Sequence, residues 1–241
     1  TFHVSRKKMV HPRVMVLDCG SITNSVATAN LPALAAVMGV MPEDAKRGMN
    51  AAWTLSRSNR NMDAVRYWRA ALAEAGRPLA VDDPLTPEDA ATVEACERSV
   101  AETLRVCFED TLATAKSLKA QGAIVGIISN HITSPPWFQE CAASAGLYEL
   151  ASDPSLVVVS QEVEVGKPDA RIYEIFFDRL RHLEPAVQPA ELVFVDDKDK
   201  NVVAAQALGW QGICFNATTA APGELARALA GLGLGGAAAQ S

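Results

Sequence analysis

The 241-residue chain lacks several features that would mark particular classes of protein. It has no run of about 18 apolar residues, so we expect no membrane-spanning helix. Its net charge is −6 with no basic stripe, which argues against nucleic acid or an anionic membrane as a main partner. The five cysteines form no Cys-x-x-Cys pair, which argues against a disulfide framework or a zinc site. We therefore expect a soluble protein of a reducing compartment, the cytoplasm or an organelle matrix.

A short apolar stretch near the start of the chain ends in an acidic residue. Residues 14–17 are Val-Met-Val-Leu, and they lead into Asp18 and a run of small residues. In an open α/β sheet, ligands bind just beyond the carboxyl ends of the strands. A carboxylate there could attack phosphorus, hold a metal ion, or simply cap the next helix. Later stretches of the chain bear on this choice.

The next hundred residues or so show a helical pattern, and no strand pattern occurs between Ile22 and Gly122. The predicted helices cover residues 31–40, 45–55, 63–75 and 87–121, the last with a break near Asp110. Gly76 is a typical C-terminal stop, and the Pro-Glu-Asp at 87–89 is a typical helix start. We interpret residues 24–100 as an all-helical insertion after the first strand.

The second half of the chain alternates strands with helices. Predicted strands lie at residues 123–128, 156–160, 192–195 and 212–215, and predicted helices at residues 135–146, 167–183 and 201–208. Such alternation is typical of a parallel sheet with helices on both faces, so the fold class is predicted to be α/β. The Gly/Ala-rich end from residue 231 is expected to fray.

Polar side chains stand at the strand ends or helix starts of this pattern: Asp18, Ser129, Lys167 and the pair Asp196-Asp197. The acidic pair is the most informative, because two adjacent carboxylates repel each other unless a cation is near. In this order and on these elements, the four positions resemble the four motifs of the haloacid dehalogenase-like hydrolase superfamily.

That resemblance covers residues 13–215 and implies an architecture. The core would be a Rossmann-like sheet built from residues 1–23 and 101–241. The helical insertion, residues 24–100, stands where the capped subfamily I of the superfamily has its cap domain, which selects the substrate.

The resemblance also implies the chemistry of the site. Asp18 would attack phosphorus and form an aspartyl-phosphate. Ser129 and Asn130 would donate hydrogen bonds to phosphoryl oxygens, and Lys167 would pair with both Asp18 and the phosphate. The expected partner is a small phosphorylated substrate, and the sequence gives no indication of the oligomeric state.

A magnesium ion is the cofactor that the resemblance implies, and this ion prefers hard oxygen ligands. Its ligands would be Asp18, the backbone carbonyl of Gly20 and Asp196. Asp197 would be a support or an alternative ligand. Asn201, one helical turn further on, would hold these carboxylates or a metal-bound water.

The first motif departs from the common pattern of the superfamily's phosphatases. Their motif is Asp-x-Asp, in which the second Asp protonates the leaving alcohol, whereas this chain has Gly20. General acid catalysis typically contributes a factor of about 10²–10⁴ in rate. Sugar-phosphatase-like members that carry Asp-Leu-Gly-Asn-Val resemble this chain here, and their later motifs resemble residues 167–173. Anomeric phosphates and other good leaving groups are therefore the favoured substrates.

Two alternatives remain open from the residues. A 2-haloacid dehalogenase also lacks the second Asp, but it needs no magnesium, and Asp196-Asp197 suit a cation. A non-catalytic binding or scaffold subunit would explain the altered first motif. Such a subunit would have no use for a buried charge cluster, which costs stability unless its members are satisfied.

The insertion offers candidates for contacts with the substrate. Arg57 or Arg60 could bind a second anionic group. Trp53 and Trp68 lie at helical spacing on apolar faces, which is more typical of core residues. His131 lies just past Ser129 and could donate a proton in place of the missing acid.

Overall fold

The computed structural model describes residues 10–23, 30–58, 62–79, 84–131 and 135–234. The described residues form a parallel sheet in the spatial order β3-β2-β1-β4-β5. The strands are β1 (Val14–Leu17), β2 (Ile124–Ser129), β3 (Val157–Val159), β4 (Leu192–Asp196) and β5 (Gln211–Cys214). The predicted parallel α/β sheet is thus confirmed.

The register of the three central strands brings their carboxyl ends to one level. Leu17, the last residue of β1, pairs with Ile127 on one side and with Val195 on the other. The backbone N–H of Asp18 then donates to the carbonyl of Val195 over 2.8 Å. Residues that end or follow β1, β2 and β4 therefore meet at one edge of the sheet.

Helices occupy the connections between the strands. They are α1 (Cys19–Ile22), α2 (Leu31–Met38), α3 (Pro42–Ser58), α4 (Ala64–Glu74), α5 (Pro87–Ala101), α6 (Glu109–Ala120), α7 (Pro135–Ser144), α8 (Leu147–Leu150), α9 (Ala170–Leu183), α10 (Asp199–Ala207) and α11 (Glu224–Gly231). Short 3₁₀ turns cover Glu102–Arg105, Pro154–Leu156 and Pro189–Glu191. None of the helices in the described residues is long and apolar enough to cross a membrane.

Two helix boundaries in the insertion differ from the sequence prediction. The helix predicted over residues 31–40 ends at Met38, because Gly39 adopts a left-handed conformation with φ 67°. The helix predicted over residues 45–55 begins at Pro42, whose ring suits the first turn and whose acidic neighbours stand at the positive end of the helix dipole. Residues 42–44, which the prediction left between two helices, therefore form the start of α3.

Other differences lie in the second half and at the end of α5. The break expected near Asp110 falls earlier, in the 3₁₀ turn Glu102–Arg105, and α6 begins at Glu109. The helix predicted from Lys167 begins at Ala170, because the Asp169 side chain caps it by accepting from the Arg171 N–H. Helix α11 was not predicted. The short helices α1 and α8 and the 3₁₀ turns Pro154–Leu156 and Pro189–Glu191 were not predicted either. The elements that were predicted differ otherwise only in their terminal residues.

The buried apolar side chains form three clusters. Two flank the sheet, since alternate residues of β1 point to opposite faces: Met15 and Leu17 to one cluster, Val14 and Val16 to the other. The third consists of side chains from residues 31–100, among them the fully buried Trp68. The division into a core (residues 1–23 and 101–241) and a cap (residues 24–100) stays a prediction.

Candidate functional site

Acidic and hydroxyl side chains meet at the carboxyl edge of the sheet. Asp18 is 7% exposed, Ser129 is 2% exposed and Asp196 is fully buried, whereas Asp197 is exposed. One carboxylate oxygen from each of Asp18, Asp196 and Asp197 lies within 4.8 Å of the other two. The structure therefore brings together side chains that the sequence separates by almost 180 residues, and it does so through the register of β1 with β4.

Lys167 lies between the two buried carboxylates. Its Nζ donates to Asp18 Oδ1, to Asp196 Oδ2 (2.8 Å) and to the carbonyl of Ile128 (2.8 Å). These contacts occupy all three donors of the ammonium group. Burial disfavours the ammonium, but the carboxylates of Asp18 and Asp196 outweigh that cost and raise the pKa of Lys167 above its ordinary value.

Asp18 combines a capping role with a place in the charge cluster. Its Oδ2 accepts from the backbone N–H of Gly20 over 2.9 Å and caps α1, while Oδ1 faces Lys167. Burial raises the pKa of the Asp18 carboxyl above its ordinary value, the Lys167 ammonium opposes this, and the charge of Asp196 adds to it. Burial raises the pKa of the neighbouring Cys19 thiol to about 12, so this thiol stays protonated at neutral pH and is a poor nucleophile.

Asp196 is held by donors from the start of α10. Its Oδ1 accepts from the Lys198 N–H (2.8 Å), and Asn201 Nδ2 lies 3.0 Å from both oxygens of the carboxylate. The other amide atom, Asn201 Oδ1, is buried and has no hydrogen-bond partner among the described residues. Of the two roles expected for Asn201, holding the carboxylates or a metal-bound water, the structure shows a contact with the Asp196 carboxylate, and the role of Asn201 at a metal stays a prediction.

The donor set of this cluster fits a magnesium ion. The buried Lys167 ammonium pairs with Asp18 and Asp196, and the Lys198 ammonium lies 3.5 Å from Asp197, so the three carboxylates leave one negative charge in excess. Carboxylate, carbonyl and amide oxygens are hard ligands of the type that Mg²⁺ prefers. The exposed Asp197 gives the cluster a side that solvent reaches, and the unpartnered Asn201 Oδ1 offers a buried acceptor beside it.

Asn130 has a different setting from the one expected of a substrate ligand. Its Oδ1 accepts from the backbone N–H of Lys167 (2.8 Å), and its Nδ2 donates to the backbone carbonyl of Lys167 (2.9 Å). Both polar atoms of the side chain are therefore already engaged with the loop that carries Lys167.

The pKa of His131 makes its ring a poor proton donor at neutral pH. Burial lowers the pKa of its imidazole to about 4, so the ring is neutral at neutral pH. A general acid is most effective when its pKa lies near the working pH. The idea that His131 replaces the missing acid therefore finds no support in its environment.

The candidate substrate-contact residues of the insertion differ in where the structure places them. Arg57 lies in the last turn of α3, and Arg60 lies outside the described residues. Trp68 is fully buried and packs edge-on against Tyr67 at 5.4 Å between ring centroids, so it is a core residue. Trp53 is partly buried against the same cluster.

Sequence reasoning missed Tyr173. Its hydroxyl donates to the backbone carbonyl of Asn201 over 2.9 Å, and its ring packs against Phe194, which in turn lies 5.4 Å from Lys167 Nζ. Tyr173 stands in the stretch after Lys167 that supported the resemblance. Its spacing alone gave no indication of the contact with α10, because that contact depends on how two helices pack.

The chain resembles known proteins in its family, in part of its sequence and in its fold. The model for the haloacid dehalogenase-like hydrolase family matches residues 22–209. A glyceraldehyde 3-phosphate phosphatase of Methanothermobacter thermautotrophicus is 32% identical over 110 residues. That match spans 45% of this chain and 44% of the relative, less than half the length of either.

Solved structures share the fold. A dehalogenase crystal structure superposes with a TM-score of 0.58 at 21% identity, over 88% of each chain. YfnB of Bacillus subtilis, crystallised with magnesium, superposes with a TM-score of 0.59 at 14% identity, over 84% of this chain and 86% of that one. The L-2-haloacid dehalogenase of Xanthobacter autotrophicus gives 0.59 at 19% identity, over 91% and 83%. At such identities the likeness concerns the fold alone.

Proposed function

The chain belongs to the haloacid dehalogenase-like hydrolase family, as its motifs led us to expect, and we propose that it is a Mg²⁺-dependent phosphatase of a small, sugar-phosphate-like monoester. The observation that carries this proposal is the cluster of Asp18, Lys167 and Asp196 beside the exposed Asp197, at the carboxyl edge of the sheet. A buried cluster of this kind costs stability, and its excess negative charge suits a cation, which would offset the repulsion between these carboxylates and an anionic substrate.

Asp18 is the proposed nucleophile. Its carboxylate attacks phosphorus, the bond to the leaving alcohol breaks, and an aspartyl-phosphate forms; water then attacks that phosphorus and releases phosphate and the free carboxylate. The Gly20 N–H and the Lys167 ammonium hold the two oxygens of Asp18 in place. A fixed orientation of the attacking group lowers the entropic part of the barrier.

Ser129 and Lys167 are the proposed contacts to the phosphoryl group. Ser129 ends β2, so its hydroxyl lies at the same edge of the sheet as Asp18. Lys167 already uses its three donors, and it would exchange one of them to reach a phosphoryl oxygen. Its charge stabilises the anionic phosphoryl group even without a direct hydrogen bond.

Asp18, Asp196 and the backbone carbonyl of Gly20 would hold the magnesium ion, with Asp197 as a further or alternative ligand. When bound, the ion supplies positive charge that offsets the charge of the phosphoryl oxygens. Asn201, whose Nδ2 lies 3.0 Å from both oxygens of Asp196, would keep that carboxylate in place.

The preferred substrates follow from Gly20. This position has no side chain, and a Cβ added there would lie 2.7 Å from Asp18 Oδ2. We therefore propose that the leaving group departs without a proton from this position, which favours anomeric and other low-pKa leaving groups. The partial relative that acts on glyceraldehyde 3-phosphate supports a small phosphorylated substrate. Arg57 or Arg60 of the proposed cap domain could bind a second anionic group of the substrate.

Phosphate release from a panel of sugar phosphates and an activated aryl phosphate, with and without Mg²⁺, tests this function. We expect release that needs Mg²⁺, is fastest with anomeric and aryl phosphates, and is absent in Asp18→Asn. Halide release from 2-haloacids without Mg²⁺ would instead indicate a dehalogenase. No turnover by folded protein with any substrate would indicate a binding or scaffold subunit.

A further inference from the structure

The side chain of Asn130 forms a two-point bracket on one residue of a distant loop. The bracket consists of the hydrogen bond from the Lys167 N–H to Asn130 Oδ1 (2.8 Å) and that from Asn130 Nδ2 to the Lys167 carbonyl (2.9 Å). The two bonds fix the orientation of the amide, because a flipped side chain would set its NH₂ against the backbone N–H. The pair spans 37 positions in the sequence.

The residue before Lys167 leaves space for the Asn130 side chain. Gly166 precedes Lys167, and a Cβ at this glycine would lie 3.0 Å from Asn130 Oδ1. A side chain at position 166 would therefore press against the amide. The glycine thus leaves room for the close approach of Asn130 to the backbone.

Lys167 is consequently attached to the end of β2 twice. Its backbone is held by Asn130, and its ammonium donates to the carbonyl of Ile128, which lies two residues before Asn130. The backbone of Lys167 and the ammonium at the end of its flexible side chain are thus both bonded to residues at the end of β2. Without the first attachment, the backbone of Lys167 would be free to shift relative to the two carboxylates that share its charge.

We propose that Asn130 is a positioning residue that sets the place of the Lys167 ammonium between Asp18 and Asp196, and that it does not bind substrate. This inference rests on the proposed function for its effect on turnover. Its structural part, the dependence of Lys167 on Asn130, stands independently of any activity.

A double-mutant cycle on turnover of an activated aryl phosphate tests the kinetic part. Misplacing a catalytic group by about 1 Å can cost on the order of 10²-fold in rate, so we expect Asn130→Ala to lower kcat by roughly that factor with KM little changed. In the Lys167→Ala background, the same substitution should lower kcat less than about twofold, because its effect passes through Lys167. The proposal would be overturned if the losses in kcat from Asn130→Ala and Lys167→Ala multiplied in the double variant. It would also be overturned if Asn130→Ala raised KM and left kcat unchanged.

Lysine acylation followed by mass spectrometry tests the structural part without activity. The Lys167 side chain is 1% exposed, so wild-type protein should leave it unlabelled while the exposed Lys46 reacts. Asn130→Ala should raise labelling of Lys167 at least several-fold. Asn130→Asp, which keeps an acceptor for the Lys167 N–H but loses the donor, should give an intermediate value. Equal protection of Lys167 in these variants would overturn the proposal, even if the wild-type protein hydrolyses no phosphate.

Ser160→Ala is the matched control for both experiments. Ser160 Oγ accepts from the backbone N–H of His131, the residue after Asn130, over 3.1 Å. The variant therefore removes a neighbouring hydrogen bond and leaves the hydrogen bonds of Lys167 in place. We expect wild-type kcat and an unlabelled Lys167 in Ser160→Ala. If this control behaves like Asn130→Ala, the loss reflects general loosening of the loop and the proposal fails.

Discussion

Tyr173 connects the aromatic core beneath the site to the helix that holds Asp196. Its hydroxyl donates to the backbone carbonyl of Asn201, and Asn201 in turn donates to both oxygens of Asp196. Tyr173→Phe removes this hydrogen bond, while the carbonyl keeps its place in the backbone ladder of α10, and it should lower the free energy of unfolding by about 0.5–1.5 kcal/mol. It should also weaken Mg²⁺ binding, which calorimetry would measure. Tyr148→Phe, at a partly exposed tyrosine, is the control, and an unchanged Mg²⁺ affinity in Tyr173→Phe would contradict the link.

His131 gives the protein an acid-sensitive contribution to stability. Burial lowers the pKa of its ring from 6.5 to about 4, so the unfolded chain binds this proton more readily than the folded one. The contribution is therefore present above about pH 6.5 and is lost as the pH falls toward 4. Urea unfolding of wild type and His131→Gln across this range should show a smaller loss in the variant, by roughly 1–3 kcal/mol. The exposed His182→Gln is the control, and parallel curves for wild type and His131→Gln would refute the prediction.

At the scale of elements, helices α3 and α4 pack so closely that one position admits no side chain. A Cβ on Gly48 would collide with the backbone carbonyl of Ala71. Gly48→Ala should therefore destabilise the protein by about 1–3 kcal/mol, although alanine is the better helix former. Gly231→Ala is the matched control, because a Cβ there meets nothing within 4 Å, and it should be neutral or slightly stabilising. Thermal unfolding measures both, and a Gly48→Ala variant as stable as wild type would contradict the packing.

The strands and the edge where they end could be predicted from the sequence. Residues 14–17 and 192–195 are short apolar runs followed by aspartate, and short, β-branched apolar runs are typical of buried parallel strands. Helix starts were harder to predict, because Pro42 reads equally well as a break or as a first turn. The parallel sheet then brought Asp18 and Asp196 together as expected.

The roles of individual side chains could be predicted only in part. Asp18, Lys167 and Asp196 meet as their motifs indicated: the ends of β1 and β4 place the two aspartates, and the loop before α9 carries Lys167 between them. Asn130 stands in the expected place, but its amide turns to the Lys167 backbone, and Tyr173 reaches Asn201 across two packed helices. Such contacts depend on loop shape and helix packing, which a single sequence does not specify.

At the scale of the whole molecule, the charge cluster should make stability depend on magnesium. A ligand that binds only the folded state stabilises it, by about 2.7 kcal/mol at a hundred times its Kd. Mg²⁺ should therefore raise the Tm of the wild-type protein but not that of Asp196→Asn, which keeps the shape of the side chain and loses its charge. Differential scanning calorimetry at constant ionic strength makes the comparison.

The control for this prediction is an aspartate outside the cluster. Asp178 lies exposed on α9, so Asp178→Asn should respond to Mg²⁺ like the wild type. A magnesium response that survives in Asp196→Asn would place the ion elsewhere and remove Asp196 from its proposed ligands.

The most direct test of the whole account is to find the phosphoryl group on Asp18. Protein mixed with an activated aryl phosphate and Mg²⁺ is quenched in acid, digested and analysed by mass spectrometry. The account predicts a phosphorylated peptide in which Asp18 carries the group, formed at least as fast as phosphate is released and absent without Mg²⁺. Phosphate release by Asp18→Asn at the wild-type rate, or a phosphoryl group on another residue, would contradict it.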